Sequence, residues 1–173
     1  RALSAMEIPR PVMQEAAASL PGGTAALSYL AVGGRLLVLV SIGDGTPVAV
    51  DLAAIDDVVA LVDRLRRQWD RCKVGASFLE RHMQQLTAAT TSVLHELYEA
   101  IMAPIIDHLI DAGIDTIVVI PDAPLHEVPF CALHDGSDWL LERFVLRSVP
   151  SLRTLAHLPP QRVGVSLVCG VAD

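Results

Sequence analysis

A histidine and a cysteine, His126 and Cys131, lie five residues apart in this 173-residue chain. A cysteine thiolate that is activated by a neighbouring imidazole can attack a carbonyl carbon, so this pair suggests nucleophilic catalysis. The surrounding residues are rich in proline, and an extended turn of this kind does not by itself bring the two side chains together. We therefore expect His126 to be a turn or surface residue and Cys131 to be a small group of the core.

Two other stretches contain residues that could take part in such chemistry. His134 is followed by Asp135, a combination that suggests a general base oriented by a carboxylate. Residues 135–138 are of the polar types that form turns, so we interpret this stretch as a loop. Cys169 ends an apolar run, which indicates a buried side chain, and a peripheral role in a larger active site stays open for it.

The remaining histidines and cysteines are not spaced as metal ligands. His95 lies near two glutamates, as in a metalloprotease helix, but no second histidine follows four residues later. His82, His95 and His108 recur every thirteen residues and do not share a metal-binding turn. Gly33-Gly34 lacks the spacing of a phosphate-binding loop. The sequence therefore predicts no catalytic residue, no metal site and no cofactor in this chain.

Charge and hydropathy argue against two classes of protein, those that bind nucleic acid and those that span a membrane. The formal net charge of −7 argues against a nucleic-acid surface, which would need Lys and Arg in excess. The one basic cluster, in residues 64–73, also contains Asp70 and indicates a solvated helix face. No apolar run approaches the roughly 18 residues of a membrane helix. We expect a soluble, cytoplasmic protein, because three cysteines without a pairing pattern and the lack of a signal peptide fit a reducing compartment.

The order of strand-like and helix-like patterns indicates an α/β fold. We interpret residues 1–24 as a linker or docking arm with a short helix at 12–20, since prolines and glycines surround that helix pattern. Apolar runs within residues 25–52, separated at Gly33-Gly34 by a two-residue turn, predict a three-strand antiparallel meander. From residue 55 the apolar period becomes helical, and we expect helices to fill residues 55–112.

Several residues in the helical region mark boundaries. Asp56 or Asp57 suits the start of the first helix, and Ser77 with Glu80 has the spacing of a capping box. Pro104 should kink the chain or begin a new helix, because it has no backbone N–H to donate.

Three strands are predicted after the helices. A β-branched run at residues 114–120 is typical of a fully buried strand, and residues 140–149 predict a second strand. Ser151 could cap a short helix that reaches residue 157. Residues 163–169 form the last strand-like run.

The most informative stretch is residues 117–155, where a buried strand runs into a proline-rich turn. Three prolines fix φ and favour extended geometry in the residue before them, so this segment is not expected to be helical. Asp122 can accept hydrogen bonds from local amides, and three apolar side chains can hold the turn against the core. Those apolar side chains belong to Leu125, Val128 and Phe130.

This stretch resembles the signature of the CHAT family, PDGPLHxxPFAAL followed by YLLERYxVxxxPSL. The sequence departs from that pattern at Ala123, where glycine is usual, and we infer an ordinary turn there, without positive φ. A β-meander with a tyrosine near Tyr29, and helices before the turn, also fit the front half of the family. The matching signature residues, which we interpret as structural, are Pro121, Asp122, Pro124, Leu125, His126, Pro129, Phe130, Leu133, Pro150 and Ser151.

The resemblance implies a lobe of a caspase-like cysteine peptidase, related to caspases and separase. In that clan the catalytic histidine lies in a His-Gly motif after a later strand, and the cysteine lies in a Ser-Ala-Cys-like motif after the next strand. Neither motif occurs in these 173 residues. We expect residues 25–173 to be the N-terminal part of a CHAT domain, with 114–158 as its signature region and 163–173 as the first core strand.

The two ends of the chain look artificial, so we expect a fragment of a longer protein whose catalytic residues lie downstream. On this interpretation the chain alone is inactive, and its partner is a protein or peptide. Family members commonly carry TPR repeats, so the resemblance implies such repeats in the parent chain. A sheet cut at this point should leave the strand at 163–169 open to self-association.

Two other functions stay open. One is a non-enzymatic interaction module, a pseudo-peptidase lobe that binds a protein through its sheet edge or its N-terminal arm. The other is a small α/β hydrolase that uses Cys131 or His134. None of these readings predicts binding to nucleic acid or to a membrane.

Overall fold

The computed structural model describes residues 20–43 and 45–150. Three predicted elements fall wholly or almost wholly outside these residues. They are the helix at 12–20, the helix that Ser151 would cap, and the strand at 163–169. The fold below is therefore that of the central part of the chain.

Five strands of the described residues form one mixed sheet in the order β3-β2-β1-β4-β5. Strand β2 is antiparallel to both β1 and β3, whereas β4 runs parallel to both β1 and β5. This arrangement confirms the α/β fold, the meander and the buried strand near residue 118. The strands are β1 (Thr24–Val32), β2 (Arg35–Ile42), β3 (Val48–Ala54), β4 (Thr116–Ile120) and β5 (Val145–Ser148).

The turn between β1 and β2 consists of the two predicted glycines. Gly33 and Gly34 have φ values of 58° and 80°, a region that side chains with a Cβ atom rarely occupy. Two consecutive residues with positive φ match the right-handed twist of a hairpin. The hairpin prediction is confirmed.

Helices fill the stretch between β3 and β4, as predicted. The first, α1 (Ile55–Cys72), buries Val58, Val62 and Leu65 at helical spacing. The second and third are α2 (Ala76–Ile101) and α3 (Ala103–Asp111), and Pro104 lies in the first turn of α3. Backbone N–H groups in the first turn of a helix have no acceptor within that helix, so the missing N–H of proline costs nothing there. Pro104 therefore lies at the start of a new helix. None of the described helices has the length and apolar character needed to cross a bilayer.

The capping box predicted at Ser77 and Glu80 is wrong, whereas the aspartates predicted near the start of the first helix do lie in its first turn. Helix α1 begins after Ala54, with Asp56 and Asp57 inside its first turn, and no side chain caps it. Helix α2 begins after Gly75, so Ser77 lies within the helix instead of before it. The two aspartates still favour α1, because carboxylates near a helix N-terminus interact well with its dipole.

The strand predicted at residues 140–149 is correct only in its second half. Leu140–Arg143 forms a single helical turn, α4, before β5 begins. The Trp139 N–H donates to Glu142 Oε2 at 2.8 Å, and the Leu140 N–H donates to the Leu133 carbonyl at 2.7 Å. These two bonds hold residues 139–142 in a turn. In an extended strand, the Glu142 side chain would be too far from the Trp139 N–H to accept its hydrogen bond.

The main core lies between one face of the sheet and helices α1, α2 and α3. Alternate residues of each strand point to this face, as the strand period of two requires. A smaller cluster on the opposite face comprises Ala26, Val118, Ile120 and Val149, with Leu20 packed against it. The sheet residues of the main core include Ala25, Leu27, Tyr29, Leu36, Val38, Val40, Ile117 and Val119.

Tyr29 occupies the centre of the main core and is 1% exposed. Its hydroxyl donates to the Ile101 carbonyl at 3.2 Å, and its ring centroid lies 5.5 Å from that of Phe130. The Ile101 carbonyl needs this donor, because the helix breaks there and the Ile105 N–H bonds to Met102 instead. Burial raises the pKa of the Tyr29 phenol above its ordinary value, so the hydroxyl stays protonated and remains a donor.

We expect Tyr29→Phe to lower the free energy of unfolding by about 1–2 kcal/mol, since a buried carbonyl loses its partner. The matched control is Tyr98→Phe, because Tyr98 is also buried but its hydroxyl makes none of the described hydrogen bonds. Urea denaturation followed by circular dichroism measures both. Equal losses in the two variants would show that the Tyr29 hydroxyl has no special role.

Candidate functional site

We call residues 121–133 the signature turn. It begins directly after β4 and forms a hydrogen bond with the neighbouring strand β1. The Ala31 N–H donates to Asp122 Oδ2 at 3.0 Å. Pairing between β1 and β4 stops at Ser28, so Asp122 supplies an acceptor to β1 beyond the end of β4. The prediction that Asp122 caps local amides is wrong, because its carboxylate reaches a strand 91 residues away in sequence.

The turn itself contains two short 3₁₀ helices, Ala123–Glu127 and Phe130–Ala132. The expectation that its prolines exclude helix therefore holds only for α-helix. Pro124 lies in the first turn of the first segment, where its missing N–H costs nothing, and Pro129 directly precedes the second segment. A 3₁₀ helix also begins at Ala123 without positive φ, which agrees with the ordinary turn inferred from alanine.

The apolar residues of the turn face the core, as predicted. Leu125 and Leu133 are fully buried, and Val128 and Phe130 are nearly so. Pro121 is half-buried at the end of β4. At the far end of the signature, Pro150 is exposed after β5, and Ser151 lies outside the described residues. Three of the described signature residues, Leu125, Phe130 and Leu133, thus anchor the turn to the core.

An ion pair connects the turn to α1. Arg66 donates through Nε and Nη2 to the two carboxylate oxygens of Glu127, at 3.0 and 2.6 Å. These hydrogen bonds lower the pKa of Glu127. A second bidentate pair, Arg64 with Glu96 at 2.6 and 2.9 Å, connects α1 to α2 and lowers the pKa of Glu96. Paired guanidinium and carboxylate groups fix orientation as well as distance.

A cleft of about 340 Å³ opens beside the turn, at the carboxyl ends of the parallel strands β4 and β5. Open α/β sheets commonly bind ligands at this edge. The cleft is mostly apolar, with His126, Cys131 and Arg147 as its titratable groups. Its lining residues are Val119, Pro121, Leu125, His126, Val128, Pro129, Phe130, Cys131, Leu146, Arg147 and Ser148.

Cys131 is exposed in this cleft, so the prediction that it is a core residue is wrong. In a 3₁₀ turn, residues three apart share a face. Phe130 and Leu133 take the buried face, which turns Cys131 outward. His126 is exposed, as predicted, and lines the same cleft. The turn therefore brings this histidine and cysteine to one cleft, but no described hydrogen bond joins them.

His134 is buried and belongs to a separate cluster. Its Nδ1 accepts the Gly136 N–H at 3.1 Å, so its Nε2 carries the proton and donates to the Thr91 carbonyl at 2.9 Å. The rings of His95 and Trp139 pack against it at centroid distances of 5.4 and 4.7 Å. Both ring nitrogens are in use, so His134 has no free lone pair with which to accept a proton from a nucleophile.

Asp135 does not orient His134. Its Oδ1 accepts the N–H groups of Ser137 and Asp138, and its Oδ2 accepts Arg143 Nη1 at 2.8 Å. The polar loop at 135–138 is confirmed, but no local pattern indicates that His134, the residue before it, is buried. A partner 43 residues away, Thr91, decides the position of that ring.

Metal-ligating residues do not converge in the part of the chain that the structure covers. Within residues 20–43 and 45–150, no three His, Cys, Asp or Glu side chains come together in an arrangement that could hold an ion. In the part of the chain that the structure describes, histidines lie in both the cleft and the His134 cluster.

A comparison with protein families matches the CHAT domain to residues 91–173. This match covers just under half of the 173 residues and supports membership of the CHAT family. The match begins within α2, at residue 91, and then includes α3, β4, the signature turn and β5. No curated protein and no solved structure matched the chain in the corresponding searches. The CHAT match identifies a domain related to caspase-like peptidases, and the cleft described above lies within it.

Asp122 offers a direct test of the link between the CHAT signature and β1. We expect Asp122→Ala to lower the free energy of unfolding by about 1 kcal/mol and to speed hydrogen exchange at the Ala31 amide. Asp122→Asn keeps an acceptor oxygen and should restore most of the protection. Asp107→Ala, at an exposed carboxylate on α3, is the control. Unchanged exchange at Ala31 in all three variants would contradict the assigned role.

The loop after His134 should show a pH dependence. The backbone N–H groups of Asp138 and Ser137 lower the pKa of Asp135, with a smaller effect of Arg143. Because the folded-state pKa lies below the unfolded value of about 3.9, the charge of Asp135 stabilises the fold above that pH. This contribution is lost as the pH falls through the folded-state pKa.

We therefore expect Asp135→Asn to be less stable than the parent near neutral pH, and the difference to shrink at pH values below about 3.9. Urea denaturation at a series of pH values measures it. A difference that stays constant down to the most acidic condition would mean that the charge of Asp135 does not contribute.

Proposed function

We propose that this chain forms the non-catalytic N-terminal part of a CHAT-type, caspase-like cysteine endopeptidase. The catalytic histidine and cysteine would then lie downstream of these residues in the parent protein. The observation that carries the proposal is the combination of a CHAT match over residues 91–173 with the absence of both a His-Gly and a Ser-Ala-Cys motif from the sequence.

The described thiols support an inactive lobe. Cys72 is exposed at the end of α1, and Cys131 is exposed in the cleft. Within residues 20–43 and 45–150, neither thiol has a hydrogen-bonded imidazole that could remove its proton. A cysteine nucleophile needs such a base or another source of thiolate stabilisation. The small-hydrolase alternative is not supported at His134 either, since both of its ring nitrogens already have partners.

The proposal includes residues 25–90 in the same domain, although the family match begins later. Strand β1 forms five parallel pairs with β4. Tyr29 packs on Phe130 of the signature, and Arg66 of α1 binds Glu127. Helix α2 begins before residue 91 and continues through it. These contacts support one folding unit that contains the meander, the helices and the signature.

In this domain the cleft would form one wall of the groove that receives a peptide. It lies at the carboxyl ends of parallel strands, the edge at which such sheets hold ligands, and its floor is apolar. Its volume of about 340 Å³ falls in the range of small-ligand sites and can take one large side chain of a peptide. TPR repeats elsewhere in the parent chain would supply partner recognition, an inference that rests on family analogy alone.

The second candidate is a non-enzymatic interaction module. Exposed apolar side chains at the start of β5 and in the turn before it favour it, since Leu141 and Val145 are both 56% exposed and Trp139 is 36% exposed. Apolar groups at a strand edge can pair with another chain. Such a module would bind a protein or peptide without cleaving it.

Activity assays separate these functions. We expect the 173-residue chain to cleave no peptide, and a thiol-reactive peptide probe to label Cys131 no faster than Cys72, which is an exposed thiol outside the cleft. Cys131→Ala should change the free energy of unfolding by less than about 0.5 kcal/mol, because the thiol is exposed. The parent protein with its downstream sequence should react rapidly at a cysteine of a Ser-Ala-Cys motif.

Two outcomes would redirect the proposal. Peptide cleavage by the 173-residue chain that is abolished by Cys131→Ala would promote the small-hydrolase function. A parent protein that binds peptides but never cleaves them, and whose downstream sequence lacks both motifs, would favour the interaction module.

A further inference from the structure

The connection between α1 and α2 forms a basic tip on an acidic protein. We define the tip as residues 67–82, which are the last turns of α1, the loop and the first turns of α2. With the adjoining turn of α1, this region holds six of the chain's 13 Lys and Arg residues, while the whole chain has a net charge of −7. Those six residues are Arg64, Arg66, Arg67, Arg71, Lys73 and Arg81.

Ion pairing divides these six cations into two groups. Arg64 and Arg66 bind carboxylates of the surrounding fold, and Lys73 binds Asp70 within the tip. The other three are exposed and have no carboxylate partner among residues 20–43 and 45–150. They are Arg67, Arg71, whose described bond is to Gln68 at 3.4 Å, and Arg81, which donates to the Ser77 carbonyl at 3.0 Å.

A groove of about 170 Å³ runs between α1 and α2 at this tip. Helix α1 contributes Gln68 and Arg71, and α2 contributes an apolar side formed by Phe78 and Leu86. His82 lies between them, with its ring centroid 4.6 Å from that of Phe78. A groove of this size accepts one aliphatic or aromatic side chain, with an arginine at its rim.

Exposed apolar side chains also occur near the connection between the two helices. Val74 in the loop is 66% exposed, and Met83 on α2 is 53% exposed. Trp69, in the last turn of α1, is 37% exposed. A surface that only keeps a helix solvated has no need for apolar groups of this size beside its charges.

We propose that this tip is a docking site for an acidic protein segment that inserts one apolar side chain into the groove. The unpaired guanidinium groups would bind carboxylates on either side of that anchor, because guanidinium and carboxylate groups match in geometry as well as in charge. Apolar anchors with charged neighbours are a common mode of peptide recognition.

A protein segment fits the tip better than nucleic acid does. Asp70 and Glu80 lie among the arginines and interrupt the positive field that a phosphate backbone needs. A phosphate backbone would also leave the apolar side of the groove unfilled.

A displayed library of random peptides of about 16 residues, selected on the 173-residue chain, tests the proposal. We expect the enriched peptides to combine Asp or Glu with one aliphatic or aromatic residue, and to bind about tenfold more weakly to Arg71→Glu and to Arg81→Glu. Binding should also weaken as salt rises from roughly 50 to 300 mM. Circular dichroism checks that both exposed substitutions leave the fold intact.

Arg35→Glu is the control, since it makes the same change in net charge at an exposed residue of β2 that lies outside both the tip and the cleft. It should leave the affinity of the selected peptides unchanged. Four results would overturn the proposal: no enrichment, enrichment of peptides without acidic residues, equal weakening by Arg35→Glu, or tighter binding of a single-stranded oligonucleotide than of any selected peptide. Because the readout is binding at the tip, it is independent of peptidase activity.

Discussion

The position of β1 between β2 and β4 is the constraint on which the rest of the described structure depends. On one side β1 forms an antiparallel hairpin with its neighbour in sequence, and on the other it pairs in parallel with β4. Its inward side chains, including Leu27 and Tyr29, lie at the centre of the core. The Tyr29 hydroxyl also fills the hydrogen-bonding gap where α2 ends and α3 begins. A change at β1 therefore reaches both the sheet and the helices.

The signature turn combines two roles on its two faces. Asp122, Leu125 and Glu127 bind β1, the core and α1 respectively, so one set of residues fixes the turn in place. His126 and Cys131 point the other way and line the cleft. Anchoring of this kind keeps a ligand-facing surface rigid without contributing a reacting group. A caspase-related domain would gain a preformed wall from it.

Local sequence patterns predicted much of the fold and little of the site. Two adjacent glycines predicted the hairpin, a change of apolar period predicted the helices, and a β-branched run predicted β4. Each of these signals is local, because it depends on residues within a few positions of one another. The helix at Leu140–Arg143 escaped prediction because its apolar residues suit a strand equally well, and the bond from Trp139 to Glu142 decides between the two.

The side chains whose positions were wrongly predicted fall into two groups. Some depend on contacts between residues that are distant in sequence, and one depends on which residues of a short 3₁₀ turn face the core. Asp122 meets Ala31, and His134 meets Thr91, across 91 and 43 residues respectively. Cys131 is exposed because the second 3₁₀ turn gives its inward positions to Phe130 and Leu133. The pattern of apolar residues along the sequence shows neither the distant contacts nor which side of the 3₁₀ turn faces the core.

The parallel pairing of β1 with β4 also sets an order of events during folding. The meander and the helix pair form from neighbours in sequence, whereas β1 and β4 begin 92 residues apart, at Thr24 and Thr116. Closing so long a segment is entropically costly, so this step is expected to come late. Until β4 leaves the ribosome, the nascent chain exposes one edge of β1 with its amide and carbonyl groups unpaired. Translation speed between these two strands then sets how long that edge is open to pairing with another chain.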